Sequence, residues 1–126
     1  MTTAISYENG GKGILITCSG TVTGADTIRV NAEITQDPHL RYQIWDYTQA
    51  DDISMSIEEM HELAIQDKKY RSDAQMKRFA LVGPAKIINE AFETYEEMSK
   101  FAGSSVIKID SKCFADLQAA REWAGK

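Results

Sequence analysis

Two cysteines, two prolines and two histidines in 126 residues leave little material for a disulfide scaffold, a hinged multidomain chain or a histidine-built metal centre. Cys18 and Cys113 lie far apart without metal-ligand spacing, and both read as packing residues in a reducing compartment. Pro38 and Pro84 fall at expected element boundaries, and no Pro/Gly/Ser linker, repeat or low-complexity stretch interrupts the chain. One domain over residues 1–126 is the expectation. No apolar run approaches the roughly 20 residues that span a bilayer, which excludes an integral membrane helix. The start Met1-Thr2-Thr3-Ala4 lacks the basic and apolar regions of a signal peptide, so a cytoplasmic protein is expected.

Standard catalytic signatures are missing as well. There is no Gly-rich phosphate cradle, no Gly-x-Ser-x-Gly elbow and no His-rich metal spacing. His39 sits beside Pro38 in a loop, and His61 lies among Glu58, Glu59 and Glu62, where a solvated helical histidine accounts for it. No catalytic residue, cofactor or resident metal is therefore expected, and the chain reads as other than an enzyme. Nineteen acidic against fourteen basic residues give a net charge of −5, which repels a phosphate backbone, so nucleic acid is not an expected partner. The basic stretch Lys68, Lys69, Arg71, Lys77 and Arg78 begins in the last turn of a predicted helix, where cations complement the carbonyl end.

What is present is ordinary globular composition, 43% hydrophobic and 26% charged, and a clear alternation of strands and helices. Ala4–Glu8 alternates in polarity, Asn9-Gly10-Gly11-Lys12-Gly13 is turn-rich, and Ile14–Cys18 follows as the second arm of a hairpin. Gly20 closes that strand. Thr23-Gly24-Ala25-Asp26 resembles a capping box with Asp in place of Glu and opens a helix to about Gln36, stopped at Asp37-Pro38. Tyr42–Tyr47 reads as a third strand, with a polar loop from Thr48 to Ser54. Ser56 as N-cap, Glu59 as its reciprocal partner and Met55 with Met60 as staple mark the next helix, which Lys68, Lys69 and Arg71 close. Arg78–Gly83 is an apolar strand. Ile88, Ala91, Phe92, Tyr95, Met98 and Ala102 recur at helical spacing up to Gly103. A strand over residues 106–109 and a helix carrying Leu117, Ala120, Trp123 and Ala124 end the series.

The order β-β-α-β-α-β-α-β-α makes the last four strands parallel, because helix-linked neighbours need crossover connections. Alternating polarity in two strands (Ile14/Ile16/Cys18 against Leu15/Thr17/Ser19, Ile107/Ile109 against Val106/Lys108) implies an α/β fold with helices mainly on one face and the other partly open.

Several segments carry a family likeness: Gly20-Thr21-Val22-Thr23, Ile44-Trp45-Asp46, Phe79-Ala80-Leu81-Val82-Gly83 and Phe114 through Trp123. Over roughly Gly20 to Trp123 the pattern resembles the STAS/SpoIIAA-like superfamily, the anti-sigma-factor-antagonist fold related to lipid-carrying CRAL-TRIO (Sec14-like) domains. The resemblance implies a SpoIIAA-like fold. In phosphorylated antagonists of that family an Asp-Ser pair at the start of the second helix carries the regulatory serine. Its counterpart here is Asp52-Ile53-Ser54-Met55-Ser56, where Ile53 separates the pair and the Ser-Ser-Gly-Leu-Gly-type continuation is absent.

Function then reads as a non-catalytic regulatory or protein-binding module, with Asp46, Asp51, Asp52, Ser54 and Ser56 as partner or regulatory surface. The alternative is a carrier of a small apolar ligand or lipid, lined by Phe92, Tyr95 and Met98, although such a stripe is more often core. Two further readings are weaker than their plain counterparts. Asp46, Asp51, Asp52, Glu58, Glu59 and Glu62 could hold a divalent cation near a strand's carboxyl end, or simply form a solvated acidic face. Gly83-Pro84-Ala85 could hold an anion, or simply start a helix. A homodimer follows if the open sheet face exposes Tyr42 or Trp45.

Overall fold

The computed structural model describes residues 2–34, 37, 39–71, 78–102 and 110–126. β1 (Thr2–Glu8) and β2 (Gly13–Thr23) form the expected antiparallel hairpin, in register from Thr2 opposite Ser19 to Glu8 opposite Gly13. Asn9, Gly10 and Gly11 turn the chain with φ of 53°, 64° and 86°, a region that glycine enters without a Cβ clash. α1 (Gly24–Ile34), β3 (Tyr42–Ser54), α2 (Ile57–Arg71), β4 (Arg78–Val82), α3 (Ala85–Ala102), β5 (Asp110–Phe114) and α4 (Leu117–Ala124) follow. Strand order in space equals order in sequence, and β2 to β5 are parallel. The strand expected over residues 106–109 lies outside the described residues. The strand that pairs with β4 is Asp110–Phe114.

β3 departs from expectation by its length. Thr48 to Ser54, read from sequence as a loop, continues the strand and pairs with β2 as far as Thr23 opposite Ser54. β4 stops at Val82, opposite Asp46, so beyond that point β2 and β3 run on as a two-stranded ribbon. Register irregularities between Thr17 and Ser19 and between Gly20 and Thr21 bend it, with Gly20 at φ 74°. Only Ala50 and Ile53 of this stretch of β3 pack against the helix-side core, beside the buried Val22 of β2, which is why its mostly polar sequence resembled a loop.

The sheet separates two cores. On one face Ile14, Ile16 and Cys18 of β2, Trp45 and Tyr47 of β3 and Leu81 of β4 pack with Val30 and Ile34 of α1 and Ile87, Ile88 and Ala91 of α3. α2 lies between α1 and α3 in the same layer. On the other face Tyr42, Ile44, Ala80 and Val82 meet Ala120 and Ala124 of α4, with Leu15, Phe114, Leu117 and Trp123 at the margin. Three helices thus share one face, as expected, and among the described residues α4 alone shelters the second. This corrects the basis for a homodimer: Tyr42 is 4% exposed beneath α4 and Trp45 3% exposed beneath the helix layer, so neither offers apolar surface to a second copy.

Ile16 is fully buried in the middle of the hairpin's inner strand. Ile16→Ala is expected to lower stability by about 2–5 kcal/mol through lost transfer energy and a residual cavity, read as a shift of the urea midpoint at unchanged slope. A change below 0.5 kcal/mol would contradict the described packing.

Candidate functional site

The end of β3, the start of α2 and the flank of α3 meet at the carboxyl side of the sheet. The start of α2 follows directly from its sequence. Ser56 N–H donates to Glu59 Oε1 at 2.9 Å and Glu59 N–H donates to Ser56 Oγ at 3.1 Å, closing the reciprocal box. Glu59 has a second role. A Cβ built on Gly24 would stand 2.3 Å from the Glu59 carboxyl carbon, so the carboxylate lies against the first residue of α1. At that junction Asp26 N–H donates to Thr23 Oγ1 at 3.2 Å, as expected from the sequence. The two helix starts are therefore locked side by side.

Asp51, Asp52, Ser54 and Ser56 are all exposed along this edge. Asp46 is set apart from them. It is 7% exposed in mid-strand and its Oδ1 accepts from Thr48 N–H at 2.9 Å and Thr48 Oγ1 at 2.7 Å. Sequence reading placed it at the strand end because the polar continuation of β3 was not recognised. The acids read as a candidate cation site do not gather: among the described residues no three His, Cys, Asp or Glu side chains could hold a metal ion together.

Beside this edge lies a groove of about 340 Å³. Its apolar lining is Ile53, Met55 and Met60, and its carboxylates are Asp52 together with Glu90, Glu93 and Glu97 of α3. The three α3 glutamates were missed in the sequence, although their recurrence at positions 90, 93 and 97 matches one helical face. Only the fold shows that this face borders the acidic end of β3.

The apolar stripe of α3 divides. Phe92 packs against the helix-side core, which is the plain reading of that position. The side chains of Tyr95 and Met98 lie outside the described residues. At Gly83-Pro84-Ala85 the Gly83 N–H already donates to Phe114 O at 3.1 Å and proline has none to offer, so two of the three positions have no donor left for an anion. His61 is exposed, and His39 N–H donates to Asp37 Oδ1 at 2.9 Å in its loop.

No protein-family model matches the sequence, and no curated protein matches it. Solved structures do. The anti-sigma factor antagonist SpoIIAA in its unphosphorylated form superposes with a TM-score of 0.57 at 11% identity, over 99% of this chain and 100% of that one. An uncharacterised protein of the DUF3478 family with a SpoIIAA-like fold, from Shewanella loihica PV-4, superposes with a TM-score of 0.59 at 16% identity, over 98% of this chain and 92% of that one. The chain has a SpoIIAA-like fold: a five-stranded, mostly parallel sheet with four helices. No helix among the described residues is long and apolar enough to cross a membrane.

Ser56→Ala is expected to cost about 1 kcal/mol, the usual worth of an N-cap hydroxyl, measured by chemical unfolding. A neutral result would mean that the box is not formed. A second expectation concerns alkali. Burial, and then the nearby Asp46, push the Cys18 thiol up to about 12, and burial followed by the Glu8 hydrogen bond pushes the Tyr42 phenol up to about 12. Both groups keep their protons in the fold where the unfolded chain has lost them. Stability is therefore full below the unfolded values of 9.0 and 10.0 and falls as pH climbs from about 9 towards 12, by up to about 1.4 kcal/mol per pH unit for each proton. Unfolding midpoints that stay level across this range would refute it, and Cys18→Ala is expected to flatten its early part.

Proposed function

We propose that the protein is a non-catalytic regulatory module that binds another protein through the acidic edge formed by β3 and α2. The observation that carries this reading is the groove itself. Four carboxylates, Asp52, Glu90, Glu93 and Glu97, stand over Ile53, Met55 and Met60, a combination suited to a basic, amphipathic segment of a partner. Asp51, Ser54 and Ser56 extend the same surface. The fold supports the reading at a coarser level, since the similar SpoIIAA is an anti-sigma factor antagonist. Work of this kind belongs in the cytoplasm, in keeping with the sequence.

Affinity isolation from host extract tests it, comparing the unaltered protein with a variant carrying Asp52→Lys and Glu93→Lys. Both positions are exposed, so the fold is expected to survive, as circular dichroism would check. The expected outcome is a protein retained by the unaltered chain, lost from the variant and weakened by salt, because charges near a surface are screened within about 10 Å at 0.1 M. Equal recovery by both chains would overturn the assignment of the surface.

A further inference from the structure

The opposite, amino-terminal edge of the sheet gathers positive charge. Lys12 precedes β2, Arg41 precedes β3 and Arg78 opens β4, and the register sets Gly13 beside Tyr42 and Tyr42 beside Arg78. Adjacent strands lie about 4.8 Å apart, so three basic residues arrive on three neighbouring strands. The backbone fixes them there. Arg41 N–H and Tyr42 N–H both donate to Lys12 O, at 2.6 and 3.3 Å, and Arg78 N–H donates to Arg41 O at 3.3 Å. Lys126, beyond α4, also borders this cavity of about 470 Å³.

Among the described residues the cavity is bordered by no Asp or Glu side chain. Glu8, which reaches the area through Tyr42, is otherwise engaged: it accepts from the Tyr42 hydroxyl at 2.9 Å and pairs with Arg121 Nε at 3.1 Å. Arg78 is partly used, since it donates to the Trp123 carbonyl at the end of α4 and lies 5.2 Å from the centre of the Trp123 ring. Arg41 is different. Its Nη1 is buried with no hydrogen-bond partner, an arrangement that folded proteins avoid unless a ligand or solvent completes it.

We propose that this cavity binds a small molecule carrying a phosphate group, with Arg41 and Lys12 holding the anion. A guanidinium offers paired donors that match phosphate oxygens, and an ammonium adds a point charge. The volume exceeds what a lone phosphate fills and lies within the range of about 300–1,000 Å³ typical of small-molecule sites. An extended nucleic acid is disfavoured by the overall charge of −5. This site lies at the other end of the strands from the acidic groove and does not depend on that groove's function.

Titration calorimetry on the full chain, using inorganic phosphate, pyrophosphate and adenosine monophosphate as probes, decides the matter. Saturable binding of pyrophosphate or the nucleotide is expected, weakened about tenfold or more by Arg41→Gln and more mildly by Lys12→Gln. The Asp52→Lys, Glu93→Lys variant is expected to bind unchanged, which separates this site from the partner surface. Absence of saturable heat at millimolar probe, or binding by both Gln variants as tight as that of the unaltered chain, would overturn the proposal. Lys12 is exposed, so Lys12→Gln remains decisive even if Arg41→Gln fails to fold.

Discussion

Six consecutive side chains of β3, Tyr42 to Tyr47, are withdrawn from water. A strand points alternate residues to opposite faces, so this run can be buried only if both faces of the sheet are covered at its centre. The odd positions, Trp45 and Tyr47, lie under the layer of α1, α2 and α3. The even positions, Tyr42 and Ile44, require α4. The short final helix is thus a structural necessity of the central strand, and its docking on Ala120 and Ala124 closes the face that would otherwise have been open. The same constraint has a polar cost. Gln43 and Asp46 are carried inside with the run, and each is given a local partner: Trp45 Nε1–H donates to Gln43 Oε1 at 2.9 Å, and Thr48 serves Asp46.

Local chemistry was legible where one short segment determined its own conformation. The glycine turn after β1, the Thr23 start of α1 and the Ser56–Glu59 box of α2 appear where their residues placed them, because each depends on side chains only a few positions apart. What the sequence concealed depends on neighbours from elsewhere in the chain. Thr48 to Ser54 is strand only because β2 runs alongside it. Tyr42 and Ile44 are covered only because α4 returns to the second face. The composition of a single segment holds no trace of either event.

The acidic edge shows the same division. Asp51, Asp52, Ser54 and Ser56 were recognisable as a polar cluster, but the groove beside them needs Glu90, Glu93 and Glu97, which lie in a helix reached only after β4. Their helical spacing was visible in the sequence, whereas the side of the molecule they face was not. Glu59 joins the two levels. It caps its own helix and also fills the space beside Gly24, where any side chain would collide with its carboxylate. The local motif and the placement of α1 against α2 therefore share one residue.

Parallel topology also explains why the molecule has two differently charged ends despite its modest net charge. In an antiparallel sheet the two ends of successive strands alternate, and residues preceding strands mix with residues following them. Here β2, β3 and β4 all run the same way, so Lys12, Arg41 and Arg78, each at a strand entrance, collect on one side. The residues at the end of β3 and at the entrance to α2 collect on the other, where Asp51, Asp52 and Glu58 reside. A charge total of −5 averages over this separation and hides it. The fold converts positions that are scattered along the chain into two opposed electrostatic surfaces at the two ends of one sheet.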